Sequence, residues 1–216
     1  MTQKIFAELV GTAMLLISVI GSGIMGVELA QGNDAIALLA NAIATGCMLF
    51  VIITVLGHRS GAHFNPAVSF AFFLRGELTF VTFASFVIAQ VVGGVLGVWA
   101  AHIMFDLPVL QVSQTLHRTG GAQWFSEILA TLGLLFVIFG GIHVGKKAVP
   151  TLVALYITGA YWFTSSTSFA NPAVTFARGW SDTFAGIYPG HIAMFIVMQL
   201  IAVLIGHFTL GPLLDE

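Results

Sequence analysis

Six apolar stretches, each about as long as a bilayer is thick, constrain the fold of this chain more than any other feature. They cover residues 6–27, 36–56, 79–105, 124–145, 148–167 and 188–210. A membrane-spanning helix needs about 20 mainly apolar residues, whereas strands of a membrane barrel are about half as long and alternate. Because only 7% of the residues are charged and 58% are hydrophobic, a soluble fold of 216 residues could not bury the apolar surface. The sequence therefore predicts an all-α membrane protein.

Composition and charge exclude several other kinds of protein. The net charge of −2 indicates no basic surface for a nucleic acid, so no nucleic-acid partner is expected. The single cysteine, Cys47, cannot form a disulfide within the chain. No group of His, Cys and carboxylate residues has metal-ligand spacing, so neither a metal nor a cofactor is expected. The first apolar run is longer than the core of a secretory signal, and we expect it to be retained as a helix.

Two further segments are moderately apolar but too short to cross a bilayer. Residues 65–75 begin with NPAV, and residues 171–180 begin with the same four letters. Asn is a favoured N-cap, and Pro suits the first helical position, where its missing N–H removes nothing. Each segment is therefore predicted to be a short helix that begins at its Asn. About ten residues at about 1.5 Å per residue cover roughly half of the hydrocarbon core.

The two halves of the chain resemble each other. FAELVGT at 6–12 corresponds to FSEILAT at 125–131, NPAVSFAF at 65–72 to NPAVTFAR at 171–178, and QVVGGVLG at 90–97 to QLIAVLIG at 199–206. The offsets of 119, 106 and 109 residues are close enough to indicate an internal duplication. Because each half holds three spans, the second half must enter the membrane from the opposite face. We expect a single domain, 1–216, with inverted repeats at about 4–105 and 122–210.

Positive charges indicate the orientation of the chain. With the N-terminus in the cytoplasm, five basic residues lie on the cytoplasmic side and two lie outside, as the positive-inside rule favours. The cytoplasmic set is Lys4, Arg59, Arg75, Lys146 and Lys147, and the outer pair is Arg118 and Arg178. Both termini are therefore expected in the cytoplasm of a multi-pass plasma-membrane protein, which in a bacterium means the inner membrane.

Two half-membrane helices that enter from opposite faces would bring their N-termini together near the bilayer midplane. Both N-termini then present partial positive charge, and Asn65 and Asn171 present amide groups, to the same point. Such an arrangement repels cations and turns the oxygen of a passing water toward the donors, which interrupts proton transfer along a file of waters. Irregular backbone, as in the loops before each Asn, is tolerated at this depth only where it is buried in protein or lines a cavity. The pattern favours a pore for neutral polar solutes.

These features resemble those of the aquaporin, or major intrinsic protein, family, and the resemblance covers essentially the whole chain. The motifs that carry it are Asn65-Pro66-Ala67, Asn171-Pro172-Ala173, the loop SGAHFNPAV, Glu8 and Glu127. TSFANPAVTFAR and the following SDTFAGI further resemble bacterial aquaglyceroporins associated with arsenic-resistance genes. The resemblance implies the aquaporin fold, with six transmembrane helices plus two half-membrane helices in an inverted repeat. It also implies a homotetramer in the lipid bilayer, with one pore in each protomer.

The family resemblance implies a selectivity filter of four residues beyond the Asn pair. Carried over by position, the filter consists of Thr45, Gly159, Ser168 and Val174, and the last position is normally arginine. None of the four is aromatic or charged, so we expect a pore wide enough for glycerol-like polyols and for neutral arsenite or other metalloid acids. The alternatives left open are a water-selective aquaporin and a secondary transporter, which also uses inverted repeats.

Arg178 follows Val174 by one helical turn, on about the same face. We interpret it as a possible vestibule residue that attracts anions or donates hydrogen bonds to entering solutes. The alternative is an arginine that reaches the membrane interface or pairs with Asp182.

Ionisable residues within the spans are expected to be structural. Glu8 and Glu127 occupy matching positions in the duplication, and the family resemblance implies that they accept hydrogen bonds that hold the loops before each Asn-Pro-Ala. His63 is expected to brace its loop, with a pore-facing edge as the alternative. No catalytic residue is assigned, because an intramembrane hydrolase would leave the duplication unexplained and no G-x-S-x-G pattern is present.

Overall fold

The computed structural model describes residues 1–214, and its regular structure is helical. The helices are α1 (Thr2–Ala30), α2 (Asp34–Ser60), α3 (Pro66–Leu74), α4 (Phe80–Met104), α5 (Gly121–Val144), α6 (Val149–Phe163), α7 (Pro172–Arg178) and α8 (Pro189–Leu214). A short 3₁₀ turn, Lys146–Ala148, precedes α6. Within these residues there is no β-strand, so the prediction of an all-α protein is confirmed.

Five of the six predicted spans are long apolar helices, and the remaining one is shorter than predicted. Helices α1, α2, α4, α5 and α8 have 24 to 29 residues and are long and apolar enough to cross a membrane. Helix α6 has 15 residues, or about 22 Å, and the 3₁₀ turn before it extends the segment to about 28 Å. Its predicted end at residue 167 is wrong, because the chain leaves the helix after Phe163. The Ser and Thr side chains at 164–168 offer the backbone local hydrogen bonds outside the helix.

The short helices α3 and α7 begin where the sequence predicts. Asn65 caps α3, and its side-chain oxygen accepts from the Ala67 N–H at 2.8 Å. Asn171 caps α7 in the same way and accepts from the Ala173 N–H at 3.0 Å. The two helices have 9 and 7 residues, so they extend only about 14 Å and about 11 Å. Neither can cross a bilayer alone.

The two halves of the chain pack in the same way. Helix α1 packs against α2 and α4, and α5 packs against α6 and α8. The short helices α3 and α7 contact each other, and each of them also contacts both α4 and α8. The result is an inverted repeat in which the half-membrane helices meet between the long ones.

Glycines allow close contact between α1 and α4. A Cβ atom at Gly93 would lie 2.2 Å from the carbonyl oxygen of Leu9, and one at Gly97 would lie 2.3 Å from that of Ala13. Helices in a bilayer associate largely through van der Waals packing, so small residues at their contacts let the backbones approach.

The connection between α4 and α5 folds back against the link between α7 and α8. The Ser113 N–H donates to the Gly179 carbonyl at 3.0 Å, and the Tyr188 N–H donates to the Leu116 carbonyl at 2.8 Å. The Asp182 carboxylate accepts three further hydrogen bonds from this connection, at 2.8 to 3.1 Å. The connection is mostly exposed, but these bonds fix its central part in place.

Candidate functional site

An elongated cavity of about 710 Å³ lies between the helices and touches the tips of both short helices. Its apolar lining comes from α1, α2, α5 and α6 and includes Leu15, Val19, Leu49, Ile53, Leu134, Ile138, Val153 and Ile157. Its polar lining includes the two loops that lead into α3 and α7, together with Thr45 and Thr54 of α2 and Thr151 of α6. His58, Lys146 and Lys147 line one end, and Arg178 lines the other. The passage is therefore amphipathic along its length.

The two asparagines hold the short helices tip to tip. Nδ2 of Asn65 donates to the Ala170 carbonyl at 2.7 Å, and Nδ2 of Asn171 donates to the Phe64 carbonyl at 2.8 Å. The side-chain oxygen of each Asn is used by its own helix, so one amide hydrogen of each Nδ2 remains. Because both asparagines line the cavity, the remaining N–H groups are available to an acceptor inside it.

The loop before α3 is held by Glu8, which is fully buried. Its carboxylate accepts from the backbone N–H groups of His63 at 3.0 Å and Phe64 at 2.6 Å, and from the Ser60 hydroxyl at 2.5 Å. Gln90 of α4 donates to the same carboxylate at 2.8 Å. The backbone N–H groups of the loop, which would otherwise be buried without a partner, thus have an acceptor.

Glu127 makes the equivalent contacts in the second half. Its carboxylate accepts from the N–H groups of Phe169 and Ala170, both at 2.9 Å, and from Nε2 of Gln199 at 2.6 Å. This side chain is also fully buried. The structure therefore places both glutamates against the loops that they were expected to hold.

The sequence interpretation missed the residues that complete these two networks. Gln90 also donates to Ser69 Oγ at 3.0 Å, and Gln199 donates to Thr175 Oγ1 at 2.9 Å. The signal was present, because the two glutamines begin the matching segments QVVGGVLG and QLIAVLIG. A polar residue at the same place in two duplicated spans is costly in a membrane and indicates a shared role.

Both loops contain non-glycine residues in the left-handed backbone region. Ala62 and Phe64 have φ of 55° and 48°, and Ser168 and Ala170 have φ of 51° and 46°. The two pairs are 106 residues apart, like the two asparagines (168 − 62 and 170 − 64). Such conformations cost of order 1 kcal/mol each and persist only where the surroundings enforce them. Here they aim the carbonyls of Phe64 and Ala170 at the asparagine of the other half.

His63 both braces its loop and lines the cavity. Its Nδ1 lies 3.1 Å from Ser69 Oγ, and its ring packs against Phe72 and Phe86 at centroid distances of 4.7 and 5.5 Å. The ring also contributes to the cavity lining. These contacts place His63 between its own loop and the cavity. Among residues 1–214, no group of three or more His, Cys, Asp or Glu side chains could hold a metal ion.

Three of the four residues expected to form the filter lie together on the cavity. Thr45, Ser168 and Val174 line it, and none of them is more than 5% exposed. The Ser168 hydroxyl has no hydrogen-bond partner in the described chain. Val174 presents an apolar group at the position where arginine is the expected residue.

The expectation for Gly159 is wrong. This residue lies on the exposed side of α6, and a Cβ atom there would meet only one side chain within 4 Å. The cavity face of α6 carries Val153, Ile157 and Tyr161, which recur at the helical spacing of four. A residue two positions from that row points about 200° round the helix. The residue of α6 that lines the cavity nearest to the counted position is Tyr161, two residues further along.

Tyr161 is the cavity residue that the sequence interpretation missed. It lines the cavity, is 4% exposed, and its hydroxyl lies 3.2 Å from Thr45 Oγ1. None of the four residues assigned from the sequence is aromatic, but the structure adds the ring of Tyr161 to the cavity wall. The row of apolar residues four apart, Val153 and Ile157, could have identified Tyr161 as the next residue on the same face.

Arg178 is buried at the cavity and does not form the alternative contacts considered for it. Its side chain is 2% exposed, Nε donates to the Ala185 carbonyl, and the guanidinium carbon lies 3.5 Å from the centre of the Phe169 ring. The Asp182 carboxylate instead accepts from Thr115 and its neighbour. Both the pairing with Asp182 and the exposed position at the membrane interface are therefore wrong.

Comparison with protein families agrees with this architecture. The model of the major intrinsic protein family matches residues 1–168, which include the first Asn-Pro-Ala and the loop toward the second. In fold, the chain is similar to the X-ray structure of the aquaglyceroporin from Plasmodium falciparum. The TM-score is 0.76 at 18% sequence identity, and the match covers 99% of this chain and 98% of that one. The predicted aquaporin fold is thereby confirmed.

Similar sequences lead to the same family. The chain is 53% identical to aquaglyceroporin AqpS of Rhizobium meliloti (strain 1021) over 201 residues, which are 93% of this chain and 85% of that protein. It is 33% identical to aquaporin NIP1-1 of Zea mays over 156 residues, which are 72% of this chain and 54% of that protein. The chain thus belongs to the major intrinsic protein family, and it is a multi-pass membrane channel for water and small solutes rather than an enzyme.

Proposed function

We propose that the chain is a passive channel that conducts water and neutral solutes of glycerol size. Neutral arsenite and related metalloid acids, which are small triols in their undissociated form, belong to the same class. The observation that carries the proposal is the amphipathic cavity that touches both asparagines and holds Val174 where the family has a cation. The 53% identical relative is named an aquaglyceroporin, which supports the same solute class.

The lining of the cavity suits a polyol in extended form. Its carbon atoms contact the apolar residues of α1, α2, α5 and α6, while its hydroxyls bond in turn to the polar loops. At the centre, the free amide hydrogens of Asn65 and Asn171 donate to a solute oxygen. The desolvation of each hydroxyl, which would otherwise oppose entry into a narrow passage, is thereby offset.

Exclusion of cations and protons follows from the same central geometry. The N-termini of α3 and α7 meet at the asparagines, so their partial positive charges add at that point. A water held by both amides accepts two hydrogen bonds there and points its own hydrogens away. A file of waters with that orientation is a poor proton conductor.

The width at the Arg178 end determines which solutes pass. Val174 and Ser168 are small, and the phenol of Tyr161 is bonded to Thr45 on the neighbouring helix α2. We infer that this bond holds the ring along the wall, which leaves room for a carbon chain. A water-selective pore is the second candidate, and the aromatic ring of Tyr161 is the observation that favours it.

We further propose the context in which the channel works. The whole chain, 1–216, acts as one channel domain of two inverted repeats, about 4–105 and 122–210. It spans the plasma membrane, the inner membrane in a bacterium, with both termini cytoplasmic, because Lys146 and Lys147 mark the cytoplasmic mouth. Exposed apolar side chains around α1, α2, α5 and α6 support burial against lipid and against neighbouring protomers of a homotetramer.

Light scattering by proteoliposomes in a stopped-flow instrument tests the solute class. Vesicles that contain the wild-type protein are expected to equilibrate water, glycerol and neutral arsenite faster than protein-free vesicles. The rates are expected not to depend on an ion gradient. Val174→Arg is expected to lower glycerol permeability more than water permeability, because a guanidinium narrows the passage. Water permeability without any glycerol or arsenite permeability would favour the water-selective candidate, and unchanged glycerol flux in Val174→Arg would remove this position from the constriction.

A second pair of variants tests the corrected position on α6. Tyr161→Ala is expected to admit polyols larger than glycerol, such as xylitol, because the ring no longer limits the width. Gly159→Ala is the matched control two residues away, and it is expected to leave all permeabilities unchanged because its methyl group points away from the cavity. A change of xylitol permeability in the control and none in Tyr161→Ala would restore Gly159 as the filter position.

A further inference from the structure

The end of the cavity at α7 contains a cation that the aquaporin-type filter does not account for. Arg178 follows Val174 by one turn and is the last residue of α7. It is 98% buried (2% exposed) and still contributes to the cavity lining. A buried guanidinium is costly unless its charge and its five N–H groups are satisfied.

The described residues of the protein contact only one side of the Arg178 guanidinium. Nε donates to the Ala185 carbonyl, and the face of the group lies over the Phe169 ring at 3.5 Å from its centre. For the terminal nitrogens, Nη1 and Nη2, no partner is found within residues 1–214, and no carboxylate pairs with the group there. The guanidinium is thus fixed at its stem while its donating edge stays free.

A neighbouring arginine has hydrogen-bond partners for all of its guanidinium nitrogens. Arg118 lies near the same Phe169 ring, at 5.3 Å, but its nitrogens donate to the carbonyls of Gly186 and Phe184 and approach the Thr167 hydroxyl. It does not belong to the cavity lining. Arg118 therefore braces the outer connection, and Arg178 is the arginine with free donors.

A second polar group without a partner belongs to the wall of the cavity. Ser168 is 4% exposed, and its hydroxyl has no hydrogen-bond partner in the described chain. Buried polar groups nearly always have partners, so the free guanidinium edge of Arg178 on the cavity indicates that a solute supplies them, whereas the Ser168 oxygen is enclosed in the wall. Sites that hold several donors in fixed positions favour solutes that carry several oxygens.

We propose that Arg178 is the specificity-determining cation of this channel, displaced by one helical turn from the position that Val174 occupies. Its free edge forms a subsite for neutral solutes that carry adjacent hydroxyls, because two N–H groups of one guanidinium edge match two vicinal oxygens. The same fixed charge repels cations at this end of the pore, in addition to the central dipoles. This inference rests on the proposed polyol channel, and it assigns the discrimination to a residue outside the four filter positions.

The charge of Arg178 is expected to repel a cation in the pore strongly. At an effective dielectric constant of about 20 and a distance of about 5 Å, the repulsion between two unit charges corresponds to roughly a hundredfold lower cation occupancy. Arg178→Leu, which removes the charge at similar bulk, is therefore expected to raise proton leak at least about tenfold. The leak is read as the decay of a pH gradient with a dye trapped inside proteoliposomes.

Solute preference is the second reading of the same variants. Wild-type protein is expected to pass 1,2-propanediol faster than 1,3-propanediol, since only the first has adjacent hydroxyls. Arg178→Leu is expected to lose this preference, and Arg178→Lys is expected to lose it while keeping proton leak low, because an ammonium is a point charge without a planar fork. The double variant Arg178→Leu with Val174→Arg returns a cation to the pore and is expected to restore low proton leak.

A matched control distinguishes a role of Arg178 in the pore from a role in stability alone. Arg118→Gln removes an equally basic side chain beside the same ring and is expected to lower thermal stability without changing leak or diol preference. The inference is overturned if folded Arg178→Leu protein has the leak and preference of wild type, or if Arg118→Gln changes both as strongly. Failure of the proposed function has a different result, namely wild-type vesicles that pass no diol at all, and proton leak still reports on Arg178 in that case.

Discussion

Replacement of Glu127 by Gln tests how the loop before the second Asn-Pro-Ala is held in the membrane. In the structure one carboxylate oxygen accepts from the Phe169 N–H, and the other accepts from the Ala170 N–H and from Gln199. The substitution keeps the shape of the side chain but changes one of these oxygens into an NH₂ group. In either orientation of the new amide, at least one backbone N–H of the loop then faces a donor.

The cost can be worked out from these contacts. A hydrogen bond to a charged acceptor contributes about 1.5–3 kcal/mol, and a stranded buried donor costs about 1–3 kcal/mol. We therefore expect Glu127→Gln to weaken the native position of the loop by about 3 kcal/mol, which is more than a hundredfold in its equilibrium because about 1.4 kcal/mol is tenfold. The midpoint of thermal unfolding is expected to fall by about 6–12 °C.

The assay combines stability with transport. Thermal unfolding in detergent is followed by size-exclusion chromatography, and water permeability per channel is measured in vesicles for the protein that remains folded. Glu8→Gln is expected to have a similar effect through the first loop, and Glu28→Gln, an exposed carboxylate at the end of α1, is expected to have none. If Glu127→Gln has the wild-type midpoint and permeability, the carboxylate does not hold the loop and the argument from its contacts is refuted.

Two further predictions concern helix packing and the outer connection. Gly93→Ala is expected to destabilise the protein by about 1–3 kcal/mol, because the new methyl group would lie 2.2 Å from the Leu9 carbonyl oxygen. Gly140 has open space around it, so Gly140→Ala is expected to leave the stability unchanged in the same unfolding assay. Hydrogen bonds, of which the one from the Gln114 N–H has the largest effect, lower the pKa of the Asp182 carboxyl below its ordinary value. The carboxylate therefore stays charged, and it anchors residues 111–116 fully above about pH 4. The anchoring is lost only as the pH falls through the lowered pKa. Asp182→Asn is expected to increase amide hydrogen exchange in this segment by up to about fivefold at neutral pH. Equal exchange in variant and wild type would contradict the proposed anchoring by Asp182.

The fold could be predicted from sequence because two of its causes are local and a third is repeated in the chain. Apolar runs long enough to cross a bilayer determine the long helices, and Asn followed by Pro determines the start of each short one. Duplication supplies the remaining information, because a repeat with an odd number of spans must be inverted. The end of α6 was predicted less well, since Ser and Thr at 164–168 are compatible with both helix and loop and only the tertiary structure decides.

The site could be predicted only in part, for a geometric reason. Asn65 and Asn171 are identified by their own motif, so their place does not depend on the loops around them. A count across the loop before Asn171 leads to Gly159, and a difference of two residues turns the position from the cavity to the exposed face of α6. Tyr161, which lies there instead, belongs to a row of residues four apart that a count from the helix itself would have found.

Accessibility of an introduced cysteine tests the central claim, a solute path along this cavity, most directly. In a Cys47→Ser background, Val174→Cys places a thiol on the cavity and Gly159→Cys places one on the exposed face of the neighbouring α6. Both are treated with benzyl methanethiosulfonate, labelling is confirmed by mass spectrometry, and glycerol and water flux are measured before and after. We predict that labelling at 174 stops both fluxes and that labelling at 159 changes neither. Undiminished flux through fully labelled Val174→Cys protein would show that solutes do not follow this path.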